Sequence, residues 1–404
     1  MEIRPIFSAL MRNSAGALLV AIQIAITLAI VVNAVFLVSK RIETVSRPTG
    51  IDEYNMFAGW MSGFGKDLDF HAMVREDMDL IRRIPGVIAA TPTPQVMLSG
   101  SGSSSCMYPQ PNEKGTCQSV AYYEQDEWGL ETLGTKLAEG RGFTAEAVEW
   151  RKEQSQDPPK SAQVIASRAF LENLFPGEKS FVGKVIYDNH SQPETVIGVL
   201  DHIQGSWLSW DKVEHVMLRP MVGQGPSIQY LVRTQPGEVD RVMADVEAAL
   251  KKSNRNRVVG KLETLAKYKD RSYVGHTLIA MLLGVVTALV LLFSCLGIFG
   301  LATFNVNTRT RQIGTRRAVG ARKLDIARYF LVENWLVTTA GVVVGSALAL
   351  FGGYWLSTHY GLDRLSLYYL VGGVLGLWAV GQLAAWHPSV RAARVSPAMA
   401  TRTV

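Results

Sequence analysis

The sequence predicts an α-helical membrane domain of four transmembrane helices, plus a mixed α/β extracytoplasmic domain inserted between the first and second helices. Three observations carry this. Charge is scarce, at 19% of the 404 residues against 48% hydrophobic, where soluble domains hold about 25% charged residues. Four long stretches contain no Asp, Glu, Lys or Arg: 27 residues between Arg12 and Lys40, 37 between Arg271 and Arg309, 29 between Glu333 and Asp363, and 26 between Arg364 and Arg391. Between the first two stretches lies a segment of ordinary soluble character. The composition excludes a disordered chain, and three Cys exclude a disulfide scaffold.

A helix rises 1.5 Å per residue, so about 20 apolar residues cross the hydrocarbon core. Each uncharged stretch suffices, and transmembrane helices are placed near 15–38, 277–303, 334–357 and 365–386. The first apolar stretch, about 24 residues long, exceeds the roughly 7–15 of a signal-peptide core. No small-x-small cleavage site follows at Leu37-Val38-Ser39-Lys40-Arg41, so a retained helix is expected. The domain layout is therefore 1–39, a cytoplasmic N-terminal segment and first helix; 40–272, an outer domain; and 273–404, three helices with a cytoplasmic loop and tail.

Charge gives the orientation. Residues 40–271 hold 28 basic and 31 acidic side chains, a net −3, whereas the remainder holds 13 basic and 4 acidic, a net +9. The loop after the second helix carries Arg309, Arg311, Arg316, Arg317, Arg322, Lys323 and Arg328 against Asp325 alone. The tail adds Arg391, Arg394 and Arg402, and the N-terminus adds Arg4 and Arg12. Basic short loops stay in the cytoplasm, which places the inserted domain outside and, in a Gram-negative cell, in the periplasm above the inner membrane. The acidic balance of that domain argues against a nucleic-acid partner, because counterion release needs a basic face.

In the outer domain, residues 72–83 have helical apolar spacing and stop at Pro85-Gly86. Strands are expected at 87–91, 164–166 and 196–200. The Ser/Gly run 99–105 reads as a flexible loop. Residues 237–252 read as an amphipathic helix with Val239, Val242, Met243, Val246 and Leu250 inward. Residues 261–275 read as a helix running straight into the membrane, which would couple outer-domain motion to the bilayer. Cys106 and Cys117 flank a turn-rich stretch. An oxidising compartment lets them pair, with two independent thiols as the alternative, while Cys295 reads as a packing residue.

Catalytic signatures are absent from the sequence. It has no Gly-x4-Gly-Lys-Ser/Thr phosphate loop, no His-Glu-x-x-His, no Cys-x-x-Cys and no Gly-x-Ser-x-Gly. No catalytic or metal-binding residue is assigned. His202 and His215 read as surface side chains, and Trp207 and Trp210 as core packing ahead of a partner patch. In the membrane stretches, Gln23, Thr27 and Ile30 share one helix face that should meet another helix. Gly341, Gly345 and Ala349 form a small-residue ridge, and Gly372, Gly376 and Val380 a weaker one, suited to close helix approach.

The most informative stretch is 308–328. Ile313, Ala318, Val319 and Ala321 interrupt its charge, so Ile313–Gly320 reads as a short amphipathic helix along the membrane face. The run Arg311-Gln312-Ile313-Gly314-Thr315-Arg316-Arg317-Ala318-Val319-Gly320-Ala321-Arg322, then Asp325 and Phe330-Leu331-Val332-Glu333, resembles the signature of FtsX-like permeases of ATP-driven (ABC) transporters. Gly140-Arg141-Gly142-Phe143, Val164-Ile165-Ala166, Leu174-Phe175-Pro176-Gly177, Val182-Gly183-Lys184 and Val196-Ile197-Gly198-Val199 resemble the MacB-type periplasmic core pattern. Pro388-Ser389-Val390-Arg391-Ala392-Ala393-Arg394-Val395-Ser396-Pro397 resembles the family's ending.

The resemblance implies a dimeric permease whose loop after the second helix is a coupling helix that docks on an ABC ATPase subunit dimer. Arg309, Arg311, Gln312, Ile313, Gly314, Arg316, Arg317, Ala318, Gly320, Ala321 and Arg322 take that position here. Glu333 is expected to support it by pairing with Arg316 or Arg317. About 14 residues precede the first helix, so the ATPase, with its ATP and magnesium, is expected on a separate chain, and this chain is expected to bind no cofactor itself. The second permease is a related chain or a second copy. A periplasmic adaptor and an outer-membrane channel are further partners the family admits. The implied function is export or efflux by mechanotransmission, in which ATP hydrolysis moves the outer domains. The alternative is a regulatory transducer that controls a periplasmic envelope protein such as a cell-wall hydrolase, without transport.

Overall fold

A computed structural model describes residues 14–65, 68–111, 117–151, 162–208, 210–223, 225, 227–361 and 363–396. The expectations for Arg4, Arg12, Pro397 and Arg402 lie outside the described residues. The chain divides into two compact units, Ser46–Gly275 and the residues that flank this segment on both sides.

Helix α1, Ser14–Val45, is followed by the outer unit. Its first strand β1 spans Met56–Gly63, then come helix α2, Phe70–Arg82, and strand β2, Val87–Thr93. Asp69 caps α2, its carboxylate accepting from the Ala72 amide at 3.0 Å. Phe70, Met73, Val74, Met78 and Ile81 form its buried stripe. The chain continues through β3, Ser103–Met107; β4, Gln118–Gln125; α3, Gly129–Leu133; β5, Leu137–Gly140; β6, Glu149–Arg151; β7, Gln163–Ser167; α4, Arg168–Leu174; β8, Val185–Tyr187; β9, Pro193–Leu200; and β10, Val216–Gly223. It returns through β11, Ser227–Thr234; α5, Val239–Ser253; β12, Arg257–Val259; and β13, Glu263–Thr264.

Two sheets result. The first has the order β12-β1-β11-β2, all antiparallel, with β13 also on β1. Together with α2 and α5 this is a split βαβ arrangement. Its core joins Phe57, Met61, Tyr230 and Val232 of the sheet to the α2 stripe and to Val242, Val246 and Leu250 of α5. The second sheet, β3-β4-β10-β7-β9-β5, is mixed and is inserted between β2 and β11. Phe170, Leu171 and Leu174 of α4 pack on its Val164, Ala166, Val196 and Met217.

Three sequence expectations are corrected. Residues 103–105 belong to the edge strand β3, pairing Ser103 with Tyr122 and Ser105 with Val120. Ladder hydrogen bonds to β4 form this strand, and a serine-rich edge carries no apolar alternation that would announce it. The second long helix starts at Leu265, because Glu263–Thr264 pair with β1. His215 is buried, as described below.

Among the described residues, four helices are long and apolar enough to cross a membrane. These are α1, α6 (Leu265–Thr308), α8 (Lys323–Tyr360) and α9 (Leu367–Ala393), with the short α7, Thr310–Ala318, between α6 and α8. Val20, Ile24, Leu28 and Val32 repeat every four residues on α1 and pack with Val342 and Ala349 of α8 and Leu370 and Leu377 of α9. Gly341 and Gly345 make this approach possible, since a Cβ at either would lie 2.7 and 2.8 Å from the carbonyl oxygens of Ala21 and Ala25. The first ridge therefore packs within the chain. Gly372 and Gly376 of the second ridge have nothing within 4 Å of a Cβ position.

Candidate functional site

The basic loop folds onto the ends of three helices. Asn305, Val306 and Asn307 lie in the last turn of α6, which ends at Thr308, and the hydroxyl of Thr310 returns to the Val306 carbonyl at 3.0 Å. Ile313 and Gly314 are the buried residues of α7. Ile313 joins Val306, Ile326, Phe330, Ala392 and Ala393 in one apolar cluster, with Ala321 against it. Gly320, at φ +101°, makes the turn that ends the segment, a conformation other residues rarely adopt. The Arg322 amide then donates to the Asp325 carboxylate at 3.0 Å and starts α8.

Arg309 is turned inward. Its Nη1 donates to Oε2 of Glu333 at 2.9 Å, with side chains 15% and 5% exposed. This corrects the expected pairing of Glu333 with Arg316 or Arg317. About two helical turns of α7 separate Arg309 from those residues, and of the three arginines Arg309 is the one that reaches Glu333 on α8. The Arg316 guanidinium lies over the Tyr329 ring, 4.8 Å from its centre. Arg317 Nη1 donates to the Ala321 carbonyl at 3.1 Å.

The outward face carries Arg311, Gln312, Arg316, Ala318, Gly320 and Arg322, all exposed. Val319 is 84% exposed and Leu324 67% exposed between them. A cationic surface with apolar tips, fixed from below by an ion pair and an apolar plug, is suited to bind an acidic protein face. Tyr329 and Leu324 escaped sequence reasoning. Leu324 had one available signal, as an apolar residue between Lys323 and Asp325.

In the membrane helices, the polar face of α1 meets α6. Gln23 Nε2 donates to the Phe293 carbonyl at 2.9 Å, and Thr27 and Ser294 share a hydrogen bond of 2.6 Å. Ile30 does not join them and is exposed. Asn33 bonds the carbonyls of Ala29 and Ala349. Cys295 is a free, half-buried thiol.

The outer unit contains several buried ion pairs. Asp77 accepts from Tyr230 Oη at 2.6 Å and forms an ion pair with Arg257. Asp126 takes Arg82 and the Thr91 hydroxyl. Burial raises the Asp126 carboxyl above its ordinary range, opposed by Arg82. Glu194, likewise pushed up by burial, is gripped at both oxygens by Arg219. Cys106 and Cys117 form a disulfide across the β3–β4 connection, with Cα atoms 5.4 Å apart. His215 donates from Nδ1 to the Ser119 carbonyl at 3.0 Å and accepts at Nε2 from Asn173 at 2.9 Å. That tautomer is neutral, and burial lowers its pKa. Trp207 and Trp210 pack edge to face, half-buried. No group of three or more His, Cys, Asp or Glu that could hold a metal occurs among the described residues.

Four helices able to span a membrane, an α/β domain after the first and a short basic helix between the second and third define a membrane permease subunit. Residues 16–249, more than half of the chain, match the MacB-like periplasmic core domain, and residues 284–397 match the FtsX-like permease C-terminal domain. The chain belongs to the MacB/FtsX-type family of ABC transporter permeases.

Among its relatives is the macrolide export ATP-binding/permease protein MacB of Campylobacter jejuni, 26% identical over 281 residues, covering 64% of this chain and 43% of that protein. The uncharacterized ABC transporter permease YknZ of Bacillus subtilis is 26% identical over 245 residues, covering 59% of this chain and 61% of that one. The chain thus matches less than two thirds of either relative's length. A crystal structure of the extracellular domain of the noncanonic ABC-type transporter YknZ from Gram-positive bacteria aligns with a TM-score of 0.31 and 15% identity, over 50% of this chain and 100% of that one.

Proposed function

We propose that this chain is the non-catalytic membrane subunit of an ATP-driven exporter in the inner membrane, with its large domain in the periplasm. In this reading α7 and the start of α8 dock on a separate ABC ATPase dimer that holds ATP and magnesium. A second permease, self or related, completes the membrane dimer. Hydrolysis shifts α7, Arg309 and the α7 plug carry the shift to α8 and α6, and the outer domain moves to export a periplasmic or membrane-derived substrate. An adaptor and an outer-membrane channel complete the path.

The observation that supports this best is the built surface of α7: Ile313 and Arg309 anchored beneath, Arg311, Arg316 and Arg322 outward, Val319 and Leu324 exposed between them. A solvated loop needs neither the buried plug nor exposed apolar tips. The test is the deletion strain, complemented with the intact gene. Sensitisation to a panel of toxic compounds, with normal wall and division, supports export. Normal efflux with a wall or division defect replaces it with the regulatory reading.

A further inference from the structure

The outer unit is entered by the segment Ser46–Asn55, which follows α1, and left by the head of α6. Glu53 and Lys269 join the two, Nζ to Oε1 at 2.6 Å, with side chains 8% and 16% exposed. Thr49, also buried, donates its hydroxyl to the other oxygen of Glu53. Both carboxylate oxygens are therefore held, one from each crossing of the chain. A pair this deep is costly to break from one side, since the remaining charge stays buried.

The two crossings also grip one further loop. Pro48 offers its carbonyl to Gln204 Nε2 at 2.8 Å and to His202 Nε2 at 2.6 Å. The Gln204 amide donates to the Thr49 carbonyl at 2.9 Å. Gly50, at φ +77°, lies so close that a Cβ would sit 2.1 Å from the His202 carbonyl oxygen. From the α6 side, the Ser272 hydroxyl donates to the Leu98 carbonyl at 2.7 Å. The strap around Leu98 reaches the same loop, the Gly100 amide donating to the Ser206 carbonyl at 3.0 Å. Ser206 in turn bonds Tyr123 of the second sheet at 2.7 Å.

We propose that the Glu53–Lys269 pair is a latch that makes the entering segment, the head of α6 and loop 201–206 one mechanical unit, so that a displacement of either crossing reaches the second sheet of the outer domain. The inference concerns the outer unit alone and stands whether or not an ATPase docks at α7.

The experiment is hydrogen exchange of the full-length protein in detergent, read on peptides covering 46–55, 96–101 and 201–206, with 194–200 as the control. Lys269→Met speeds exchange by about tenfold or more in all three peptides while the control stays fixed, because local opening now costs less. The charge swap Glu53→Lys with Lys269→Glu restores slow exchange. Should Lys269→Met fail to fold, Lys269→Gln carries the same comparison with a smaller rise. Acceleration confined to the head of α6, with 46–55 and 201–206 unchanged, overturns the proposal.

Discussion

Arg309 donates to Glu333 across 2.9 Å and ties the residue before α7 to the buried side of α8. Glu333 is therefore a brace for the basic loop. Its second oxygen, Oε1, has no hydrogen-bond partner among the described residues, so the pair rests on one contact. Glu333→Gln should keep an acceptor but lose the charge, costing about 1–3 kcal/mol through the unbalanced guanidinium. Thermal unfolding in detergent checks this, and Arg309→Gln added to Glu333→Gln should cost less than the sum of the two single changes. Strict additivity would remove the brace.

Close helix approach makes a second prediction. Gly345→Val puts side-chain atoms against the Ala25 backbone, where even a Cβ lies 2.8 Å from the carbonyl oxygen. Overpacking of this kind costs about 1–3 kcal/mol. Gly372→Val, with open space around it, should leave the melting temperature unchanged. Equal effects at both positions would contradict the packing of α8 on α1.

Tyr230, Asp77 and Arg257 hold β11, α2 and β12 together in the first sheet's core. Tyr230→Phe removes one hydrogen bond, about 1 kcal/mol. Asp77→Ala leaves Arg257 buried without a counter-charge, about 3–5 kcal/mol. Denaturation of the full chain should rank the two in that order.

His215 supplies a pH dependence. Burial is the largest cause that lowers its pKa, joined by Lys212, while the Ser119 carbonyl, Asp211 and Glu214 oppose it. The unfolded chain therefore binds the proton more readily than the folded one. The stabilisation is complete above the unfolded value of about 6.5 and is lost as pH falls toward the lowered folded value. Unfolding midpoints should drop on acidification through that window, and His215→Gln should flatten the drop. An unchanged slope in that variant would assign the effect to other groups.

Much of this fold was legible in particular residues. Uncharged runs announced the spanning helices, because burying a charge in lipid is costly. Met73 to Ile81 and Val242 to Leu250 announced α2 and α5 through their 3.6-residue period. The short helix α7 was legible where charge alternates with Ile313 and Ala318. Strand β3 was not, because Ser103–Ser105 owe their conformation to β4 across the sheet. The partner of Glu333 was not, because Arg309, Arg316 and Arg317 are equivalent in sequence and differ only in depth. Nor was the burial of His215, which follows from Phe170 and Trp210 folding against it.

The central claim is that the outward face of α7 docks a separate ATPase. The most direct measurement is purification of the tagged protein in mild detergent from cells that express its neighbours, with mass spectrometry of the co-purifying chains, beside Arg311→Glu/Arg316→Glu. Both arginines are exposed, so the fold should survive the change. An ABC ATPase that accompanies the unaltered protein and is lost from the variant is the predicted result. A clean preparation without any ATPase, or one that the charge reversal leaves undisturbed, would contradict the account.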